Sequence, residues 1–148
     1  MAVQFKRVEV YLVVKGASDA ITFYKKVLGA RETGARIVGP DNRIGHAEFT
    51  IGETLIMSAD EYPEMNILGP TSIGGTPFSL TVHVDDAKTV FAQALAAGAT
   101  ERQPLTDQFY GERSAQFTDP FGHRWTVSQH IEDVSPDEMV KRAKALYG

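Results

Sequence analysis

The sequence predicts an α+β fold of two tandem βαβββ modules followed by a C-terminal helix. Three observations carry this. Short runs of β-branched and aromatic residues alternate apolar with polar, the period of a half-buried strand. Each half holds one stretch with apolar residues at helical spacing, just after its first strand. Two features also recur at nearly one offset: His46-Ala47-Glu48-Phe49-Thr50 lines up with Ser114-Ala115-Gln116-Phe117-Thr118 at 68 residues, and Gly29-Ala30 with Gly98-Ala99 at 69. Near-equal offsets across different elements indicate a duplication.

The first strand is expected over 7–14, with Val8, Val10 and Leu12 on one face and Arg7, Glu9 and Tyr11 on the other. Ser18 is expected to cap a helix running to about Leu28. Ala17, Ile21, Tyr24 and Leu28 fall on one side of it, and Gly29 stops it. Three strands follow near 30–38, 43–51 and 54–59, with turns at Gly39-Pro40-Asp41-Asn42 and Gly52-Glu53. Residues 61–77, rich in Pro and Gly, read as a connector with no element of its own.

The second module repeats the order over about 78–131, as the first fills about 5–60. Ser79 to Val84 alternates Leu80, Val82 and Val84 against Ser79, Thr81 and His83. Asp85 or Asp86 caps a helix with Ala87, Val90, Phe91, Ala94 and Leu95 as its apolar stripe, ended by Gly98. Strands follow near 99–104, 112–118 and 123–130, and Asp119-Pro120-Phe121-Gly122 reads as a type I turn. In the tail, 135–147, Ser135-Pro136-Asp137-Glu138 combines a capping box with Pro at the first helical position. Its few large apolar residues suit a helix that packs against something without being core. The whole of 1–148 reads as one domain.

Composition narrows the function. The chain has 148 residues, 43% apolar and 23% charged, with 15 Lys plus Arg against 19 Asp plus Glu, a formal charge of −4. That is ordinary globular composition without the basic footprint of a nucleic-acid or anionic-membrane binder. No cysteine is present, which removes disulfides, zinc–thiolate sites and thiol nucleophiles together. No apolar run approaches the roughly 20 residues of a membrane span. Met1 to Val8 lacks the pattern of a signal peptide. A cytoplasmic protein is expected.

The polar strand faces indicate a site. Glu9 and Tyr11, then Ser79, Thr81 and His83, lie opposite the aliphatic faces that meet the helices. His46, Glu48 and Thr50 share one face of their strand, and Arg124, Thr126 and Ser128 share one of theirs. Two sheets facing each other this way would enclose a ligand cavity, with Tyr11 and Trp125 as its aromatics. Glu9 is a general base or lone metal ligand, or a carboxylate paired with Arg7. His46 and Glu48 bind a metal or move a proton, or form a hydrogen-bonded cross-strand pair. His83 reads as a rim residue and His123 as solvent-exposed. Gln108, Phe109, Tyr110 and Arg113, gathered around Gly111, suit the grip of a flat or anionic ligand, or a hydrophobic plug over the sheet edge. No standard phosphate loop or Gly-x-Ser-x-Gly elbow occurs.

The phrase Phe23-Tyr24-Lys25-Lys26-Val27-Leu28-Gly29-Ala30 and the segment Asp119-Pro120-Phe121-Gly122-His123-Arg124-Trp125 resemble the vicinal oxygen chelate superfamily. That superfamily includes glyoxalase I, fosfomycin and bleomycin resistance proteins, and extradiol dioxygenases. Tyr11 to Ala17, Gly45-His46-Ala47-Glu48, Asp107 to Gly111 and His130 to Pro136 resemble its PhnB-like branch. The resemblance implies two βαβββ modules forming a cupped, barrel-like mixed sheet, and a homodimer. It also implies metal-ligand positions at Glu9, Met57, Ser79 and Thr126. Only Glu9 is a good ligand, so no metal cofactor is expected, although a divalent ion placed elsewhere stays open.

Three functions are therefore weighed. The first is a protein that binds a small molecule through residues such as Tyr11, Met57, Ser79, His83, Gln108, Phe109, Tyr110, Arg113 and Thr126. The second is a metal-dependent or acid/base lyase, isomerase or dioxygenase using Glu9, His46 and Glu48. The third is a regulatory interaction module. The binding protein is favoured.

Overall fold

The computed structural model describes all 148 residues, and the chain divides into two units, Met1–Gly75 and Thr76–Gly148. The first contains β1 (Val10–Val14), α1 (Ala17–Leu28), β2 (Arg31–Val38), β3 (Ile44–Ile51) and β4 (Thr54–Asp60). Its sheet has the order β1-β4-β3-β2, with β1 parallel to β4 and the remaining pairs antiparallel. The second contains β5 (Ser79–His83), α3 (Ala87–Ala96), β6 (Thr100–Asp107), β7 (Glu112–Thr118) and β8 (Arg124–His130), ordered β5-β8-β7-β6. The same order and the same mix of pairings in both units are the structural form of the duplication seen in the sequence.

The helix in each unit forms because its apolar stripe has a sheet face to meet. In the first, Ala17, Ile21, Tyr24 and Leu28 are all buried, and α1 lies over β1, β3 and β4. Tyr24 stacks on Phe49 of β3 at a centroid separation of 5.6 Å, with both rings fully buried. Burying two such rings is worth roughly 2–3 kcal/mol each. Phe117 of β7 is the buried counterpart of Phe49, and Phe91 and Ala94 of α3 are buried too.

The first strand starts at Val10, not at residue 7: its pairing with β4 runs from Val10 opposite Ile56 to Val14 opposite Asp60. Val8 is therefore 98% exposed and meets no helix. Ser18 does not cap α1, whose N-cap is Gly16 in the left-handed region. The cap comes from the end of β4. Asp60 Oδ1 accepts from Gly16 N at 2.9 Å and Ala17 N at 2.8 Å, while Oδ2 accepts from Ile44 N at 2.7 Å. Gln129, 69 residues later, does the same for α3 by accepting from Ala87 N at 3.0 Å. Asp86, as expected, is the N-cap of α3 and accepts from Thr89 N.

The connector has elements after all: a 3-10 turn at Pro63–Met65 and α2 (Pro70–Ile73). Pro opens each, and Asn66 and Gly74 close them in the left-handed region. Buried Glu61 ties the segment together, accepting from Gly69 N and from the Ser72 hydroxyl. The C-terminal helix α4 (Pro136–Tyr147) starts on the Ser135 cap as expected and buries none of its residues. No helix is long and apolar enough to cross a membrane.

Candidate functional site

The face of the first sheet opposite α1 carries polar side chains because strand alternation puts them there. The register aligns Tyr11 of β1 with Met57 of β4, Met57 with Glu48 of β3, and Glu48 with Thr33 of β2. One row across the sheet thus presents a phenol, a thioether, a carboxylate and a hydroxyl. His46 lies two residues from Glu48 on the same face.

Three of these side chains form a line. The Tyr11 hydroxyl is 2.9 Å from His46 Nδ1, and His46 Nε2 is 3.0 Å from Glu48 Oε1. The Tyr11 and His46 rings are tilted by 49° at 5.7 Å between centroids. An ionised carboxylate can only accept, so Glu48 requires the proton of neutral His46 to sit on Nε2. Nδ1 is then an acceptor, and the Tyr11 hydroxyl donates to it. Burial, and then the charges of Glu48 and Tyr62, push the Tyr11 phenol above its ordinary pKa. Tyr11 therefore holds its proton and shares it with His46. The expected cross-strand pair of His46 and Glu48 is corrected to a pair along one strand, with Tyr11 as a third member.

Glu9 is not part of this line. Its carboxylate takes the Arg7 guanidinium at 2.5 Å, the pairing weighed as its plain alternative. The two line an open recess of about 370 Å³ with Val8, Glu53, Thr54 and Leu55. Leu55 and Ala59, which by continued register lies level with His46, are four residues apart on β4, roughly 13 Å.

The second sheet presents Ser79 and Thr81 beside Arg124 and Thr126, with Gln116 opposite Thr126. Ser79, Gln116, Arg124 and Thr126 share a recess of about 40 Å³ with Arg102, far below the usual 300 Å³ of a ligand pocket. Trp125 also touches that recess, but it is not an aromatic of the polar face. It alternates with Arg124 and Thr126, is 2% exposed, and donates its Nε1–H to Asp119. Nor is His123 exposed: the turn folds around Asp119, whose Oδ1 accepts from Phe121 N and His123 N, and this draws His123 inside. His83 lies at the exposed end of β5, 3.9 Å from Glu112, which is also bound by the Ser128 hydroxyl.

The loop after β6 is tied down on several sides. Gln108 donates to the Ser114 hydroxyl, and Arg113 makes two hydrogen bonds to Asp107. Phe109 packs edge-on against Tyr110 and against Tyr147 of α4. Arg142 of α4 donates to the Phe109 carbonyl at 3.0 Å and also binds Glu132 and Glu138. Tyr110 lines an open recess of about 390 Å³ with Glu112, His130 and Met139. Sequence inspection missed Asp60 and Arg142, which act on residues distant in the chain, so their spacing carries no signal of that. The turn at Asp119 was legible, but not that its carboxylate also takes the Trp125 Nε1–H.

The metal-ligand positions implied by the resemblance do not fit a divalent ion. Glu9 is committed to Arg7, Met57 offers a thioether, and Ser79 and Thr126 offer neutral hydroxyls. No group of three or more His, Asp or Glu side chains is arranged to hold a metal.

Residues 5–127 match the family described as Glyoxalase/Bleomycin resistance protein/Dioxygenase superfamily. An uncharacterised protein of Mycobacterium bovis, Mb0911c, is 41% identical over 132 residues, covering 87% of this chain and 86% of that protein. Among solved structures, an Arabidopsis thaliana gene product, AT5G48480, superposes with a TM-score of 0.68 at 24% identity, covering 84% of this chain and 99% of that one. The PhnB protein from Bacillus cereus superposes with a TM-score of 0.67 at 20% identity, covering 84% and 99%. At these identities the structural likeness carries the fold.

Proposed function

The chain belongs to the glyoxalase/bleomycin resistance protein/dioxygenase superfamily, and we propose that it binds a small organic molecule on the face of its first sheet opposite α1, without a divalent metal. The observation that carries this is the row Tyr11, Met57, Glu48 and Thr33. It sets an aromatic ring and a thioether beside a carboxylate and a hydroxyl, the mix of apolar surface and few polar groups that small-molecule sites use. The donor chemistry at Glu9, Met57, Ser79 and Thr126 supports a site that works without the metal.

Ligand-observed NMR against a set of small aromatic and carbonyl compounds tests this. Binding to the parent protein, weakened about tenfold in Tyr11→Ala at unchanged melting temperature, is expected. Binding that is indifferent to Tyr11→Ala and Glu48→Ala places the ligand elsewhere and refutes the assignment.

The same proposal takes the chain as a cytoplasmic homodimer with no nucleic-acid or membrane partner. The exposed Val3, Phe5 and Val8, at 76%, 93% and 98%, offer apolar surface to a second copy. The acidic charge of −4 supports the absence of a nucleic-acid partner. Sedimentation at tens of micromolar should give twice 16.2 kDa, and a species at 16.2 kDa contradicts the dimer.

A further inference from the structure

We propose that Tyr11, His46 and Glu48 form a proton relay through which Tyr11 removes a proton from the bound molecule. This rests on the binding face proposed above and adds a reaction to it. The substrate class is a small molecule with a weakly acidic proton, on oxygen or on a carbon next to an electron-withdrawing group.

The direction of transfer follows from the geometry. Neither imidazole nitrogen of His46 is open to a ligand, since the Tyr11 hydroxyl occupies Nδ1 and Glu48 occupies Nε2. The line has two ends, Tyr11, with 44% of its surface exposed, and Glu48, whose side chain is 40% exposed. A molecule seated on the Tyr11 ring, as proposed above, presents its proton to the Tyr11 oxygen. As that oxygen takes it, the phenolic proton passes to His46 Nδ1, and the resulting imidazolium rests against the Glu48 carboxylate. The electron pair of the broken bond stays on the substrate. The proton then returns along the same line to the same or another atom, so the net change is an exchange or a tautomerisation and no redox partner is needed.

Tyr11 does not act as a free phenolate, because burial and the Glu48 charge oppose its ionisation. That is why His46 must accept as Tyr11 takes the incoming proton. The other ionisable groups around the line are Tyr62, whose charge acts on Tyr11, and Arg43, stacked 4.0 Å above the Tyr62 ring. The combination of acceptor, orienting carboxylate and intermediate histidine follows the logic of activated hydroxyls in general.

The test uses 5-nitrobenzisoxazole. Loss of its ring C–H proton breaks the N–O bond and releases coloured 2-cyano-4-nitrophenolate. The parent protein should accelerate this saturably. Tyr11→Phe and His46→Gln should each slow it about tenfold or more, and Glu48→Gln several-fold. Tyr11 is exposed and His46 and Glu48 are half-buried, and the substitutions nearly conserve volume, so melting temperatures should stay within a few degrees. Nitrogen NMR of the His46 ring should show one Nε2–H tautomer that becomes mixed in Glu48→Gln. Equal rates in the parent and His46→Gln, with the compound still bound, overturn the relay and leave the binding proposal standing. Failure of the compound to bind counts against the binding proposal, and the His46 spectrum then decides the relay: a tautomer mixture in the parent, unchanged by Tyr11→Phe and Glu48→Gln, overturns it.

Discussion

The phenolic oxygen of Tyr11 lies 2.9 Å from Nδ1 of His46, a residue 35 positions later on a strand that is not its neighbour in the sheet. Between β1 and β3 stands β4, so the tyrosine spans a whole strand to reach the histidine. Met57 and Ala59 occupy the crossing on that face, and the small side chain of Ala59 stands nearest His46 by continued register. The contact exists because β1 pairs in parallel with β4.

The first prediction concerns the ionisation of Tyr11. The fold holds its phenol above the ordinary value of about 10. The sign is that of a raised group: its contribution to stability is complete below pH 10 and is lost as pH rises through the folded value. An ultraviolet difference titration of the parent against Tyr11→Phe should show this late tyrosine. In Glu48→Gln it should ionise at lower pH, because the second-largest cause of the shift is removed.

Asp60 and Gln129 cap equivalent helices with different numbers of bonds. Asp60 accepts three backbone N–H groups, two from the start of α1 and one from Ile44, whereas Gln129 accepts one from Ala87. Asp60→Ala should cost about 2–3 kcal/mol and Gln129→Ala about 1 kcal/mol in urea unfolding. Equal losses would show that the added bonds of Asp60 contribute nothing.

Much of the architecture was legible in the sequence because it is written in local patterns. The stripes Ala17, Ile21, Tyr24, Leu28 and Ala87, Phe91, Ala94 gave both central helices, and the offset of the His46 and Ser114 phrases gave the repeat. What was not legible depends on pairing. Val8 alternates properly with Val10, yet the pairing with β4 begins only at Val10 and leaves Val8 exposed. Trp125 was grouped with the polar residues by type, although its parity puts it with Leu80 on the buried face. Tyr11, His46 and Glu48 were each marked, but only the strand order β1-β4-β3 unites them and leaves Glu9 with Arg7.

Gly111 should resist any side chain. Its φ is +91°, and a Cβ there would overlap the Glu132 carbonyl oxygen and press on Val134. Its own carbonyl accepts from Ile131 N and Glu132 N, which joins the loop to the segment before α4. Gly111→Ala should cost more than about 2 kcal/mol, or fold with α4 released. Rapid protease cleavage near residues 131–135 would report the release, and a melting temperature equal to that of the parent would contradict this account.

Glu32 makes a pH prediction. Hydrogen bonds from Arg36, and less strongly from Lys25, hold its carboxyl at about 2. A depressed carboxylate stabilises fully above its unfolded value near 4.5 and loses that contribution as pH falls through 2. Solvent screening around the partly exposed partners limits the effect to about 1 kcal/mol. Glu32→Gln should therefore be less stable than the parent at pH 7 and nearly equal to it at the acid end of this window.

Amide chemical-shift mapping with the small aromatic and carbonyl compounds that bind, run with and without excess chelator, decides where the molecule sits and whether a metal holds it. Shifts should concentrate at Tyr11, Thr33, His46, Glu48 and Met57 and keep their size in chelator. Shifts that gather elsewhere, or that vanish with the chelator and return with zinc or manganese, would contradict a metal-free site on the first sheet.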